Sequence, residues 1–189
     1  MVKVAILHEG HAKKATDNWL LKNLISELKL DLTAFQFYGV DTKSNFFKPE
    51  AWFYSQLQEL IQDGQINKLL FVIDADYSKN DQIHGGYDNT LQSWQKVIKT
   101  VGFKEISDLY ITCDPRTQDG YLESLLLSTL DEEKVKCIQA FLDCSHFKSK
   151  DNHKSILNQI YKTAYPNAPF DLKHPHFDEL KQKLRDLVA

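Results

Sequence analysis

The chain has 189 residues, which suits one domain or one domain with a small helical appendage, and which can bury a core without disulfides or structural metal. Its 42% hydrophobic and 26% charged residues are ordinary for a globular protein, and no apolar run approaches a membrane span. A formal net charge of −3, with positive charges scattered apart from a loose group at Lys148, Lys150 and Lys154, argues against a passive nucleic-acid-binding module built on a basic face; any such contact has to be local and metal-assisted.

The apolar run in MVKVAILHEG is too short for a secretory signal. Cys113, Cys137 and Cys144 are odd in number and lack C-x-x-C pairing, so they read as reduced core thiols of a cytoplasmic protein. Cys137 and Cys144, seven apart in a helical pattern, are expected to share a buried face.

Residues Val2–Leu7 read as a short buried strand ended by Gly10. From Ala15 to Leu28, Trp19, Leu20, Leu24, Ile25 and Leu28 recur at helical spacing, with Thr16 or Asp17 as cap. Thr33–Val40 is β-branched and aromatic, a second strand. Pro49 opens a helix whose inner face holds Trp52, Phe53, Leu57, Leu60 and Ile61. Lys68–Ile73 is the most strand-like segment, and a helix from about Asn89 to Thr100 follows it. Leu109–Cys113 is a fourth strand, and Tyr121–Leu130 begins another helix. Beyond it, Val135–Leu142, Ile156–Tyr161 and Phe177–Val188 read as helices.

This β-α rhythm requires parallel crossovers. It predicts an α/β fold, an open parallel sheet of about four strands flanked by helices. Residues 1–130 would form that domain, and residues 131–189 a helical extension packed on it.

In open parallel sheets ligands bind beyond the carboxyl ends of the strands. Carboxylates stand after three of the four strands: Glu9, then Asp74 and Asp76, then Asp114, Asp119 and Glu123. Asp74 and Asp76 are two apart, so at an extended strand end both carboxylates would face the same way. Anions held this close need a cation or protons to compensate them. Hard oxygen ligands at so few positions suit Mg²⁺ or Mn²⁺ with substrate phosphate as a further ligand. Glu123 reads equally as a first-turn glutamate favoured by the helix dipole. Lys13 or Lys14 and Arg116 are candidates for contacting phosphate, against the plainer reading of exposed surface residues. His8 and His11 with Glu9 form a weaker zinc alternative, and no Walker loop or dinucleotide fingerprint is present.

The segments LHEGHAKKATDNWLLKNL and LLFVIDADYSKND resemble the two signature segments of the Toprim domain, found in topoisomerases, primases and OLD-type nucleases. One is a hydrophobic strand ending in Glu-Gly, the other a hydrophobic strand ending in Asp-x-Asp. The resemblance covers roughly Lys3 to Leu130. It is closer still to small stand-alone Toprim proteins, which carry a Gly-x-Leu-Glu segment, matched by Gly120-Tyr121-Leu122-Glu123, and end in a helix matched by His174-Pro175-His176-Phe177 and Leu180.

The resemblance implies that Glu9 is the general acid/base or a metal ligand. It makes Asp74 and Asp76 Mg²⁺ ligands, with Glu123 a further acidic residue of the site. Gly10, Lys13 and Arg116 would lie against the phosphate. The expectation is Mg²⁺- or Mn²⁺-dependent phosphodiester hydrolysis of nucleic acid, with water as the attacking group. A separately encoded ATPase in genome defence or repair, a homodimer, and no membrane complete the expected partners. The alternatives are a regulatory metal- and phosphate-binding module of a larger complex, or a phosphohydrolase of small nucleotides.

Overall fold

The computed structural model describes residues 3–10, 16–146, 154 and 170–189. Four strands, β1 (Val4–His8), β2 (Phe35–Gly39), β3 (Lys68–Asp74) and β4 (Ser107–Thr112), form one sheet in the order β2-β1-β3-β4, and every pairing is parallel. The two central strands are the near-continuous apolar runs: β1 is buried throughout, and β3 at every position after Lys68. Helix α1 (Thr16–Glu27) joins β1 to β2, the short α2 (Lys43–Phe46) and α3 (Trp52–Gln62) join β2 to β3, and α4 (Tyr87–Val101) joins β3 to β4. After β4 come α5 (Leu122–Ser128), α6 (Glu132–Ser145) and, at the end of the chain, α7 (Asp178–Asp186). The fold is α/β, a parallel sheet flanked by helices.

Successive residues of a strand point to opposite faces. Val4 and Ile6 therefore meet Leu20, Leu24 and Ile25 of α1 and Leu125 of α5, whereas Ala5 and Leu7 lie with Phe46, Phe53 and Leu57 of α2 and α3. Helix α7 and the turn before it belong to the first of these cores. Phe177, Leu180 and Leu184 are fully buried in it. At roughly 1.5–3 kcal/mol for each large apolar side chain buried, the tail stabilises the sheet substantially.

Several local expectations change. A 3₁₀ turn over Leu32–Ala34 takes the residues before Phe35, so β2 starts later than the β-branched pattern suggests. Trp52, placed on the inner face by spacing, is the first residue of α3 and 56% exposed. Cys137 and Cys144 do not share a buried face: both are exposed, and α6 buries none of its residues, while Cys113 is buried. The helix expected at Ile156–Tyr161 lies outside the described residues. Among the described residues no helix is long and apolar enough to cross a membrane.

The sheet order fixes where a ligand can sit. From β1 the chain steps to β2 on one side, and then β3 pairs with β1 on the other. Beyond their carboxyl ends the connections leave in opposite directions and open a crevice.

Candidate active site at the β1–β3 switch point

Glu9 follows β1, and Asp74 is the last residue of β3, so the topology places both at the crevice. They touch: the Asp74 backbone N–H donates to Glu9 Oε1 at 3.0 Å. The Asp74 carboxylate is fixed from behind, because Oδ1 accepts from the Thr112 hydroxyl of β4 and from the Leu122 N–H opening α5, the latter at 2.9 Å. Gly10 turns with φ 76°, and its N–H donates to Asp41 O at 3.3 Å, which ties the exits of β1 and β2 together. Glu9, Gly10, Asp17, Asp74, Glu123 and Lys154 line a cleft of about 230 Å³.

Among the described residues this cleft is short of positive charge. Burial pushes the Glu9 carboxyl well above its ordinary value, and Asp74 and Asp76 push it further. Burial raises Asp74 to about 8, helped by Asp17 and Glu123 and opposed by the Thr112 hydrogen bond and Lys154. Burial likewise raises Asp17 to about 7, with Glu9 and Glu123 adding. Burial works against the charge of Lys154, but Asp74, Glu123, Glu9 and Asp76 more than offset it, so its ammonium is held above the ordinary lysine value. That ammonium also stands 4.1 Å from the centroid of the Tyr121 ring, a cation–π contact.

Asp76 sits differently from its sequence expectation. The strand stops at Asp74, and Asp76 adopts a left-handed φ of 58°, so the two side chains do not follow the i, i+2 rule of an extended chain. Two hydrogen bonds hold it there: Asp76 N–H donates to Gly120 O at 2.7 Å, and Gly120 N–H donates to Asp76 O at 2.9 Å. Gly120 has φ 105°, and a Cβ on it would lie 2.7 Å from Ser124 Cβ, so both its conformation and its packing call for glycine. On the other side the buried ammonium of Lys43 donates to Ala75 O at 2.6 Å and His84 O at 2.8 Å, and lies 3.4 Å from Asp76 Oδ2. Asp76 thus faces a second cleft with Lys43, Asp81 and His84, and Glu9 lines both clefts.

Compared with models of known protein families and with curated proteins, the chain matches none.

The structure brings Glu9, Gly10, Asp74 and Glu123 together, with Asp76 on the far side of Glu9. Arg116 is drawn elsewhere: its Nε and Nη2 donate to the two carboxylate oxygens of Asp114 at 2.9 and 2.7 Å, and it lines neither cleft. Lys13 and His11 lie outside the described residues. His8, one of the two imidazoles of the zinc alternative, is fully buried, with Nδ1 2.8 Å from Glu9 O, and it lines neither cleft.

Four participants escaped the sequence reading. Asp17 was visible as an acidic first-turn residue of the helix after Glu-Gly, but it read as a cap. Lys43 and Thr112 carry no local signal, since their partners lie 32 and 38 residues away. Lys154 was visible only as one of a loose basic group.

Among the described residues, no group of three or more His, Cys, Asp or Glu side chains is arranged to hold a metal ion by itself. Mg²⁺ needs no such cage, because it keeps several waters and binds through one or two carboxylates plus substrate phosphate. Glu9 and Asp74, hard oxygen donors in contact and poor in compensating charge, fit that mode.

Proposed function

We propose that the crevice beyond β1 and β3 holds a divalent cation together with a phosphate group and hydrolyses phosphodiester bonds of nucleic acid, the activity that the Toprim resemblance implies. One observation supports this most: Glu9, Asp74 and Asp17 are crowded at one cleft, where burial and one another's charge push the Glu9 carboxyl well up, Asp74 to about 8 and Asp17 to about 7, and a bound cation would compensate such a group of carboxylates. Glu9 and Asp74, with Asp17, Glu123 and Asp76 around them, would hold Mg²⁺ or Mn²⁺, which when bound polarises a phosphate and stabilises the leaving oxygen. Thr112 and the Leu122 N–H keep the Asp74 carboxylate in place. Glu9, with its raised proton affinity beside the crevice, takes a proton from the attacking water or returns one to the leaving oxygen. Lys154 supplies positive charge within the same cleft and lies against the bound phosphate.

The test is cleavage of plasmid DNA, RNA and free nucleotides by the purified protein with Mg²⁺ or Mn²⁺. Glu9→Gln should lower turnover at least about 100-fold, the usual contribution of a positioned acid or base, with unfolding still cooperative. Full activity in Glu9→Gln would defeat the assignment. The net charge of −3 favours a second reading, in which a separately encoded ATPase supplies the grip on the polyanion. Silence of the isolated protein, with activity on adding such an ATPase, would select that reading. Cleavage confined to free nucleotides would point instead to a small-nucleotide phosphohydrolase.

A further inference from the structure

The second cleft, on the Asp76 side of Glu9, has a volume of about 390 Å³, within the range of small-molecule sites. Its walls differ from those of the Glu9–Asp74 crevice. The Phe47 and His84 rings lie in it as a stacked pair, centroids 4.6 Å apart and planes 26° apart. His84 is braced from behind by Ser93 of α4, whose Oγ is 2.8 Å from Nδ1, and both rings are partly exposed. Among the described residues the cleft is acidic, with Asp41, Asp76 and Asp81 beside Glu9 and the ammonium of Lys43. That ammonium is already engaged by two carbonyls and Asp76. A phosphate is therefore repelled here. An uncharged planar group that stacks on an aromatic ring and donates N–H bonds to carboxylates is favoured.

We propose that this cleft is a nucleobase subsite, taking the base of an unpaired nucleotide whose phosphate lies at the neighbouring crevice. The inference rests on the phosphodiester reading of that crevice and narrows its substrate to single strands or unpaired ends. Glu9 lines both clefts, so base and phosphate fall on either side of one side chain, as neighbouring parts of one nucleotide would. A base inside an intact duplex is stacked and paired and cannot enter a recess of this kind without first leaving the helix. Ile83, next to His84 and 74% exposed, adds apolar surface on the same loop for a following base. Carboxylates on the wall prefer bases with exocyclic amino groups, so guanine should outbind thymine.

The experiment measures binding of a short fluorescent single-stranded DNA, and of its blunt duplex, to the full chain with Ca²⁺ in place of Mg²⁺. The single strand should bind more tightly than the duplex. Phe47→Ala should weaken single-strand binding by about tenfold or more, from the worth of one base–aromatic stack. Phe47→Trp, which keeps a ring, should bind as wild type does, and this separates stacking from damage to the fold. The rise in melting temperature given by Mn²⁺ should be the same in wild type and Phe47→Ala, since Phe47 is outside the Glu9–Asp74 crevice. Equal affinity for duplex and single strand, wild-type binding by Phe47→Ala, or binding by Phe47→Trp as weak as that of Phe47→Ala would overturn the subsite. A wild-type melting curve unmoved by Mn²⁺ speaks against the cation reading of the crevice; the Phe47 dependence of single-strand binding decides the subsite separately.

Discussion

Replacing Lys43 by Met keeps most of the side-chain volume and removes one ammonium from a position where the side chain is 9% exposed. Its hydrogen bonds to Ala75 O and His84 O, 2.6 and 2.8 Å, are both charge-assisted. Such bonds contribute about 1.5–3 kcal/mol each. Two features lower the sum. The Thr90 hydroxyl also donates to His84 O at 2.8 Å, and Gly86 N–H donates to Ala75 O at 2.8 Å, so neither acceptor is stranded. The ammonium also regains its hydration on unfolding, which offsets part of what it contributes. Asp76 is 31% exposed on its side chain, and solvent screening leaves its ion pair worth at most about 1 kcal/mol. The net expectation is a loss of about 2–4 kcal/mol. At about 2–4 °C per kcal/mol for a chain of this size, the melting temperature should fall by roughly 4–16 °C. Urea unfolding in EDTA, with the slope checked against wild type, measures it. A loss below about 1 kcal/mol would refute the claim that this buried ammonium fastens the Asp74–Asp76 turn.

The raised carboxyls give a pH dependence of definite sign. Between the ordinary carboxylate range and about 7 for Asp17 or about 8 for Asp74, the folded groups hold protons that the unfolded chain has released, and Glu9 is pushed the same way, so metal-free stability should fall as pH rises from 5 to 8. The slope should reach about 1.4 kcal/mol per pH unit for each group in its window, and saturating Mg²⁺ should flatten it. A flat metal-free profile from urea midpoints would contradict the crowding. Gly120→Ala should cost about 1–3 kcal/mol through backbone strain, more if Ser124 cannot yield, and wild-type stability in this variant would show that the Asp76–Gly120 bridge tolerates a side chain. In native protein a thiol reagent should modify Cys137 and Cys144 rapidly and Cys113 only on unfolding, because Cys113 is buried and its thiol is pushed up to about 11; three equal rates would refute this.

The legible part of this protein is the part set by local pattern. Apolar runs at Val4–Leu7 and Lys68–Ile73 announce doubly covered strands, and the helical spacing between them forces parallel pairing. Glu9 and Asp74 could be read as neighbours because each ends a strand of such a sheet. The strand order itself depends on which face each crossover takes, a tertiary matter. Asp76 was misjudged in orientation for a local reason, since the extended geometry ends one residue too early. Trp52 and the two exposed cysteines show the limit of periodicity, which marks a helix but not whether a neighbour covers that face. Lys43 carries no signal at all. A lysine four residues after a strand is ordinary until the chain folds and brings Ala75 and His84 to it.

The most direct measurement is the melting temperature of wild type and Asp74→Asn near pH 8, in EDTA and across a Mg²⁺ titration. The wild-type value should climb with Mg²⁺ by mass action, since the cation binds the folded crevice and not the unfolded chain. In EDTA, Asp74→Asn should melt level with wild type or above it, because a buried anion is gone, and it should not respond to Mg²⁺. A wild-type melting temperature identical in EDTA and in millimolar Mg²⁺ would contradict the reading of Glu9 and Asp74 as a cation–phosphate site.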